Sequence, residues 1–169
     1  MEVTVRKVIE LLLIALLLLS NSGGAQEEKV ARVVLGPELR HAIFVEASRL
    51  SEYAIPEKLP EICLVSHRFI VEETCEGIEC SRYAAAAPHK PIYIDETLDL
   101  ERAEDYSYVL HEVIHVLQFA AKGITDLDSL SCNEILQLER EAYHLQQKYL
   151  SKERAFLRVT WMIDRMRCS

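Results

Sequence analysis

The sequence predicts a single α+β domain in which a small antiparallel sheet is followed by packed helices. Three observations carry that expectation. Of the 169 residues, 50% are apolar and only 5 are Gly and 5 Pro, enough for one core and too few breakers for a low-complexity chain. Apolar, β-branched runs without a helical period stand at 61–72 and 91–96. From about Leu100 the apolar residues take up helical spacing and keep it to the end.

Residues 1–25 are read as an export signal rather than as part of this domain. Arg6 and Lys7 precede the uninterrupted apolar run 11–19, and Ser20-Asn21-Ser22-Gly23-Gly24-Ala25 follows. A run of that length, at a 1.5 Å rise, covers less than half of a ~30 Å hydrocarbon core, so a stable membrane span is not expected. Cleavage is expected after Ala25, with an uncleaved anchor as the alternative. No Cys follows the run before Cys63, which argues against a lipid-modified terminus. The domain is then 26–169, periplasmic or extracellular. Removing the signal takes Glu2 and Glu10 together with Arg6 and Lys7, so the formal charge of −8 is unchanged.

That charge comes from 19 Lys+Arg against 27 Asp+Glu, and no basic cluster offsets it. The electrostatic footprint of a nucleic-acid binder is therefore missing, and no nucleic-acid partner is expected.

Export places the five cysteines in an oxidising compartment. Cys75 and Cys80 flank Glu76-Gly77-Ile78-Glu79, a turn that a small disulfide can close. An odd total leaves at least one thiol free or paired between chains. A four-Cys zinc cluster is the rival reading, although no CxxC pair occurs.

Within the domain, Gly36-Pro37 followed by Glu38-Leu39-Arg40 opens a helix that runs to about Tyr53, since Pro is tolerated in a first turn. The run 61–72 reads as a strand. A turn at Pro88-His89-Lys90-Pro91 leads into a second strand, Ile92-Tyr93-Ile94-Asp95, and Pro at its start suits a sheet edge. Helices are expected at 101–122, closed by Gly123, then at 132–150 and 153–167. In the last of these, Phe156 and Trp161 are expected to pack on the core, recognition of a membrane or partner being the lesser alternative.

The first of these late helices carries His111-Glu112-Val113-Ile114-His115, an HExxH motif. Histidines four apart lie one turn above each other on one helical face, so both imidazoles can converge on one metal, with Glu112 beside it. Imidazole nitrogens at ~2.0–2.1 Å suit Zn²⁺, which leaves a position for water. Metzincins add Gly and His three and six residues beyond the second His; Gln118 and Ala121 stand there, which excludes that class.

A third ligand is expected from the following helix, which Ser131 and Glu134 open as a capping box. Its apolar stripe is Ile135, Leu138, Ala142, Leu145 and Tyr149. Glu134 and Glu141 share one flank with Gln137, Lys148 and Lys152, a solvated face. Glu139 shares the other with Cys132, Leu136, Tyr143, Gln146 and Leu150, where a carboxylate is costly unless paired or bound to metal. Glu139 is therefore the expected ligand and Glu141 the runner-up. Gln118 and Gln146 read as an interhelical hydrogen bond, and His41, His67, His89 and His144 as structural.

With these residues in view, the chain resembles the gluzincin clan of zinc metallopeptidases, where HExxH is followed by a helix bearing ExxA. That element here is Glu139-Arg140-Glu141-Ala142-Tyr143, with Tyr143 where the clan usually has an Asp that orients the first His. Over residues 70–150 it is similar to a group of small exported bacterial gluzincin-like proteins. Cys75, Cys80, Ile92-Tyr93, His111 through Gln118, Cys132, Glu139, Ala142, Tyr143 and Gln146 carry the likeness. The resemblance implies a zincin-like fold with an edge strand that aligns an extended peptide.

The expected activity is zinc-dependent hydrolysis of a peptide or protein substrate. His111, His115 and Glu139 would hold Zn²⁺, Glu112 would be the general base, and Tyr143, with Tyr108 as another candidate, would stabilise the oxyanion. The strand at Ile92-Tyr93-Ile94-Asp95 would receive the substrate by strand addition. The alternative is a zincin-like domain that uses the metal for stability, or that binds a peptide without cleaving it.

Overall fold

The computed structural model describes residues 32–165 and 167–168. The expected export signal at 1–25 lies outside the described residues. The elements are β1 (Val33–Val34), α1 (Pro37–Ser51), β2 (Ile62–Val65), α2 (His67–Thr74), β3 (Ala84–Ala85), β4 (Ile92–Asp95), α3 (Ala103–Lys122), α4 (Cys132–Lys152) and α5 (Trp161–Arg165). The α+β class holds. Among the described residues no helix is long and apolar enough to cross a membrane.

The sheet is mixed rather than antiparallel. Its order is β1-β2-β4-β3, with β2 and β4 parallel and the two outer pairs antiparallel. The parallel pair follows from a second difference: the run 61–72 is not one strand. Ser66 accepts a hydrogen bond from Phe69 N and caps α2, so β2 stops at Val65 and a short helix carries the chain across the sheet. Apolar β-branched residues continue through the boundary because both elements are buried: Ile62, Cys63 and Val65 in β2, then Phe69, Ile70 and Val71 in α2.

Alternation along the inner strands divides the core between the two sheet faces. Ile62, Ile92 and Ile94 face the main core, with Ile43 and Phe44 of α1 and Val109, Leu110, Val113, Ile114 and Leu117 of α3. Cys63, Val65 and Tyr93 face the other way and pack with Phe69 and Ile70 of α2. Consequently β4 is interior, paired on both sides, and not the expected edge; β3 is the edge beside it.

Local chemistry sets the end of one long helix and the start of the other. Gly123 ends α3 in the left-handed conformation (φ 65°), which costs glycine nothing. Ser131 and Glu134 form the expected capping box on α4. Leu138, Ala142 and Tyr149 are buried as the stripe requires, whereas Ile135 is exposed.

The chain end departs from expectation. Residues 153–160 are not helical and α5 has five residues, none buried. Phe156 is 97% exposed and Trp161 49%, so neither packs on the core. The segment is held instead by Val159, which is buried in the main core and whose N–H donates to Gln147 Oε1 (2.9 Å), and by a disulfide, Cys132–Cys168, that joins it to the start of α4. The expected Cys75–Cys80 disulfide is also present, and Cys63 is a free, buried thiol.

Candidate metal centre

The interface of α3 and α4 brings His111, His115 and Glu139 together, with one ligand atom of each within 4.8 Å of the others. His111 and His115 are buried and their Nε2 atoms stand 3.1 Å apart. Glu139 Oε2 lies 3.3 Å from Nε2 of His111, and Oε1 lies 3.5 Å from Nε2 of His115. The helical spacing of the HExxH motif and the apolar flank of Glu139 both lead here.

Hydrogen-bond bookkeeping assigns the tautomers. Gln118 Nε2 donates to the Leu138 carbonyl (3.1 Å) and to Glu141 Oε2 (3.0 Å), two groups that only accept. Its Oε1 therefore faces His115, and His115 Nδ1 must carry the proton donated to it at 2.8 Å. Around His111 the logic repeats. Ser107 Oγ gives its proton to the Glu104 carbonyl (2.6 Å) and so accepts from Gln146 Nε2 (2.9 Å). Gln146 Oε1 is left to take the Nδ1 proton of His111 at 3.1 Å.

With both Nδ1 atoms protonated, two Nε2 lone pairs and a carboxylate converge on one point. Three electron-pair donors this close repel unless a positive charge sits among them. Burial opposes a charged His115 ring, yet bonding to Glu139 and the charges of Glu112 and Glu139 outweigh it and raise its pKa. Burial likewise opposes ionisation of Glu139, but the two imidazoles prevail and hold its carboxyl well below the usual range. Two imidazoles and one carboxylate form a donor set that suits Zn²⁺, and the residues present fit such an ion.

Glu112 follows His111 on α3 and is half-buried. Its charge reaches His115 and Tyr143, and it forms no hydrogen bond or ion pair among the described residues. Tyr143 lies with its ring 4.4 Å from that of His111. Burial first, then the neighbouring Glu139 and Glu112 carboxylates, push its phenol up to about 12, so it is a proton donor at neutral pH. Tyr108 packs on Tyr83 beside β3 (5.7 Å between rings), and burial raises its pKa too.

Glu141, the runner-up ligand, does not face the cluster. Its two oxygens accept from Gln118 Nε2 and from the Tyr53 hydroxyl (2.7 Å). It is half-buried rather than on a solvated face. Gln118 and Gln146 do bridge the two helices, but each through a motif histidine or its neighbours rather than through one another. The sequence already held the signal for Gln118, which lies three residues beyond His115 and hence over the same helical face.

His67, expected to be structural, forms a second histidine–carboxylate pair. Its Nδ1 lies 2.7 Å from Asp95 Oδ2 and its Nε2 3.2 Å from the Cys80 carbonyl. Asp95 is buried, and its other oxygen accepts from Thr97 N and Oγ1. His41, His89 and His144 are exposed.

Compared with known proteins, the chain matches no family model, no curated protein and no solved structure.

Proposed function

We propose that the chain is an exported zinc-dependent hydrolase of peptide bonds, with His111, His115 and Glu139 as the metal ligands. The observation that carries the reading is the set of tautomers: both glutamines hold the imidazoles with their Nε2 lone pairs turned to Glu139, an arrangement that calls for a cation. Bound zinc would polarise a substrate carbonyl and acidify a water molecule. Glu112, which makes no competing bond among the described residues, would serve as the general base, taking a proton at its carboxylate and passing it to the leaving amine. Tyr143, protonated at neutral pH, donates to the carbonyl oxygen as charge develops there.

The substrate strand finds its place at β3 rather than at the interior β4. β3 is an edge of the sheet and packs against α3, so its open side offers backbone groups to an extended peptide beside the cluster. The two disulfides accord with an oxidising compartment and so with export.

Metal analysis of the purified protein, together with His111→Ala and Glu112→Gln, tests this reading. We expect one zinc per chain, lost in His111→Ala and kept in Glu112→Gln, and cleavage of a broad peptide library lost in both variants. Absence of stoichiometric zinc would refute the metal site. Zinc with undiminished cleavage in Glu112→Gln would refute the catalytic role. Zinc without cleavage by the wild type would leave a domain that uses its metal for stability or peptide binding.

A further inference from the structure

We propose that an apolar cavity beside α3 is the subsite for a bulky apolar residue of a peptide, preceded by an acidic one, N-terminal to the bond at Glu112. That the ligand is a peptide rests on the hydrolase reading above.

From Ser107 to Ala120 the exposure of α3 follows a strict line. Tyr108, Glu112, Val116 and Ala120 keep contact with solvent, while every residue between them is buried. Residues four apart lie on one face, so these four form a single open stripe along a stretch of helix, 107–120, that is otherwise buried. Glu112 stands in the middle of it. Val116 begins about 6 Å further along the axis, at 1.5 Å per residue.

There the stripe enters a cavity of about 740 Å³, which lies in the size range of small-ligand sites. Leu59, Pro88, Val116, Phe119 and Ile124 make most of its walls apolar. Phe119 stacks its ring parallel to that of His115 at 5.9 Å, so one wall of the cavity is in contact with a candidate ligand. Two exposed cations, Lys58 and Lys90, line it against one acid, Glu61. In a chain of net charge −8 this is a local reversal of sign, and it favours a ligand carrying negative charge next to its apolar part.

The edge strand supplies the direction. Tyr83, just before β3, packs on Tyr108, and Ala87 and Pro88, just after it, line the cavity with Val116. Residues 83–88 therefore run beside α3 in the same sense, from Tyr108 past Glu112 to the cavity. A peptide added antiparallel to β3 runs the opposite way, from the cavity towards Tyr83. The residue that fills the cavity then precedes the bond at Glu112, and the lysines meet the residue before it.

The test uses the full zinc-loaded chain as Glu112→Gln, with binding of fluorescent peptides read by anisotropy. A peptide with Asp or Glu before Leu or Phe should bind about tenfold more tightly than its Gly counterpart, the discrimination a filled apolar pocket provides. Lys58→Glu with Lys90→Glu, both exposed, should cost about tenfold for the acidic peptide and nothing for a neutral one. Val116→Trp, which puts a bulky ring into the cavity where the stripe enters it, should sharply reduce the apolar preference with zinc content unchanged. If that variant loses zinc, the lysine reversal decides. Equal binding of the apolar and Gly peptides, or discrimination indifferent to the lysines, would overturn the proposal. Cleavage mapping with the wild type separates the two readings. Cleavage without upstream preference refutes the subsite and leaves hydrolysis standing, whereas discriminating binding without cleavage refutes hydrolysis and leaves the subsite.

Discussion

Gln146→Leu separates the site's need for orientation from the fold's need for packing. Gln146 is fully buried and makes two bonds, to His111 Nδ1 and to Ser107 Oγ. Leucine approximates its volume and makes neither. Ser107 keeps its own bond to the Glu104 carbonyl and loses only an incoming donor. The damage therefore falls on His111, whose Nδ1–H is left buried without an acceptor, at about 1–3 kcal/mol. The imidazole can evade that cost by moving its proton to Nε2, but Nε2 is the atom a metal requires. Zinc must then displace a proton, and its affinity should fall about 10- to 100-fold, the usual cost of losing an outer-shell partner and equal to about 1.4–2.7 kcal/mol. Competition with a chromogenic zinc chelator measures the affinity, long-range ¹H–¹⁵N NMR of the imidazole reads the tautomer, and melting in chelator measures the metal-free fold. Gln146→Glu, which keeps an acceptor, should retain the affinity that leucine loses. Unchanged zinc affinity in Gln146→Leu, with His111 still protonated at Nδ1, would refute the reasoning.

Three further outcomes test the frame around the site. Cys132→Ser with Cys168→Ser opens a link between residues 36 apart and should lower stability by about 3–4 kcal/mol, read as a shift in the urea midpoint. An unshifted midpoint would show the C-terminal segment to be held otherwise. Cys63, buried in β2 with a thiol whose pKa burial raises, should resist alkylation in the native protein and react once it is unfolded. Labelling of the native protein, followed by mass spectrometry, checks this. The hydrogen bond from His67 to Asp95, opposed by desolvation and helped by the Asp95 charge, the Cys80 carbonyl and Glu79, raises its folded pKa above the ordinary histidine value. A raised pKa contributes stability that is full below about pH 6.5 and is lost as pH rises through the folded value. The urea midpoint of the wild type should therefore lose its advantage over His67→Gln as pH rises from below about 6.5 through the folded value, and parallel curves would sink the idea.

What could be read from the sequence divides along local and non-local lines. The HExxH helix and its stop at Gly123, the capping box at Ser131 and the strand at Ile92–Asp95 all rest on interactions within a few residues, and each stands where the pattern puts it. The partner of that strand is set by β2, thirty residues earlier and parallel to it, and nothing in the strand's own composition records the pairing. In 61–72, Ser66 was the one local sign of a helix start, hidden within an apolar run that strand and helix both bury. Glu141 was misplaced for a similar reason. A helical wheel assigns one buried side, but α4 packs against both α3 and α1, so the flank taken as solvated meets Tyr53. Phe156 and Trp161 read as core because they are aromatic, but Val159 between them is the residue that enters the core, and the disulfide to Cys132 holds the rest of the segment on the surface.

The glutamines also bear on the chemistry that the ligand set allows. A carboxylate at Nδ1 draws the imidazole towards imidazolate and makes it a stronger donor, which spends part of a metal's charge before substrate arrives. Here both Nδ1 acceptors are neutral amides, so Glu139 is the only anion among the three candidate ligands, and a divalent cation bound there would keep a net positive charge with which to polarise a carbonyl. An amide, unlike a carboxylate, has to be told which end to present. Glu141 and the Leu138 carbonyl do this for Gln118 by accepting from its nitrogen, and Ser107 does it for Gln146. The Tyr53 hydroxyl in turn holds Glu141, so the polarity of the site is fixed by a chain of bonds that reaches to the end of α1. Glu141 thus orients the candidate centre without touching it: its carboxylate, on the far side of Gln118, turns the amide oxygen towards His115 and would leave the candidate ligand set with a single negative charge.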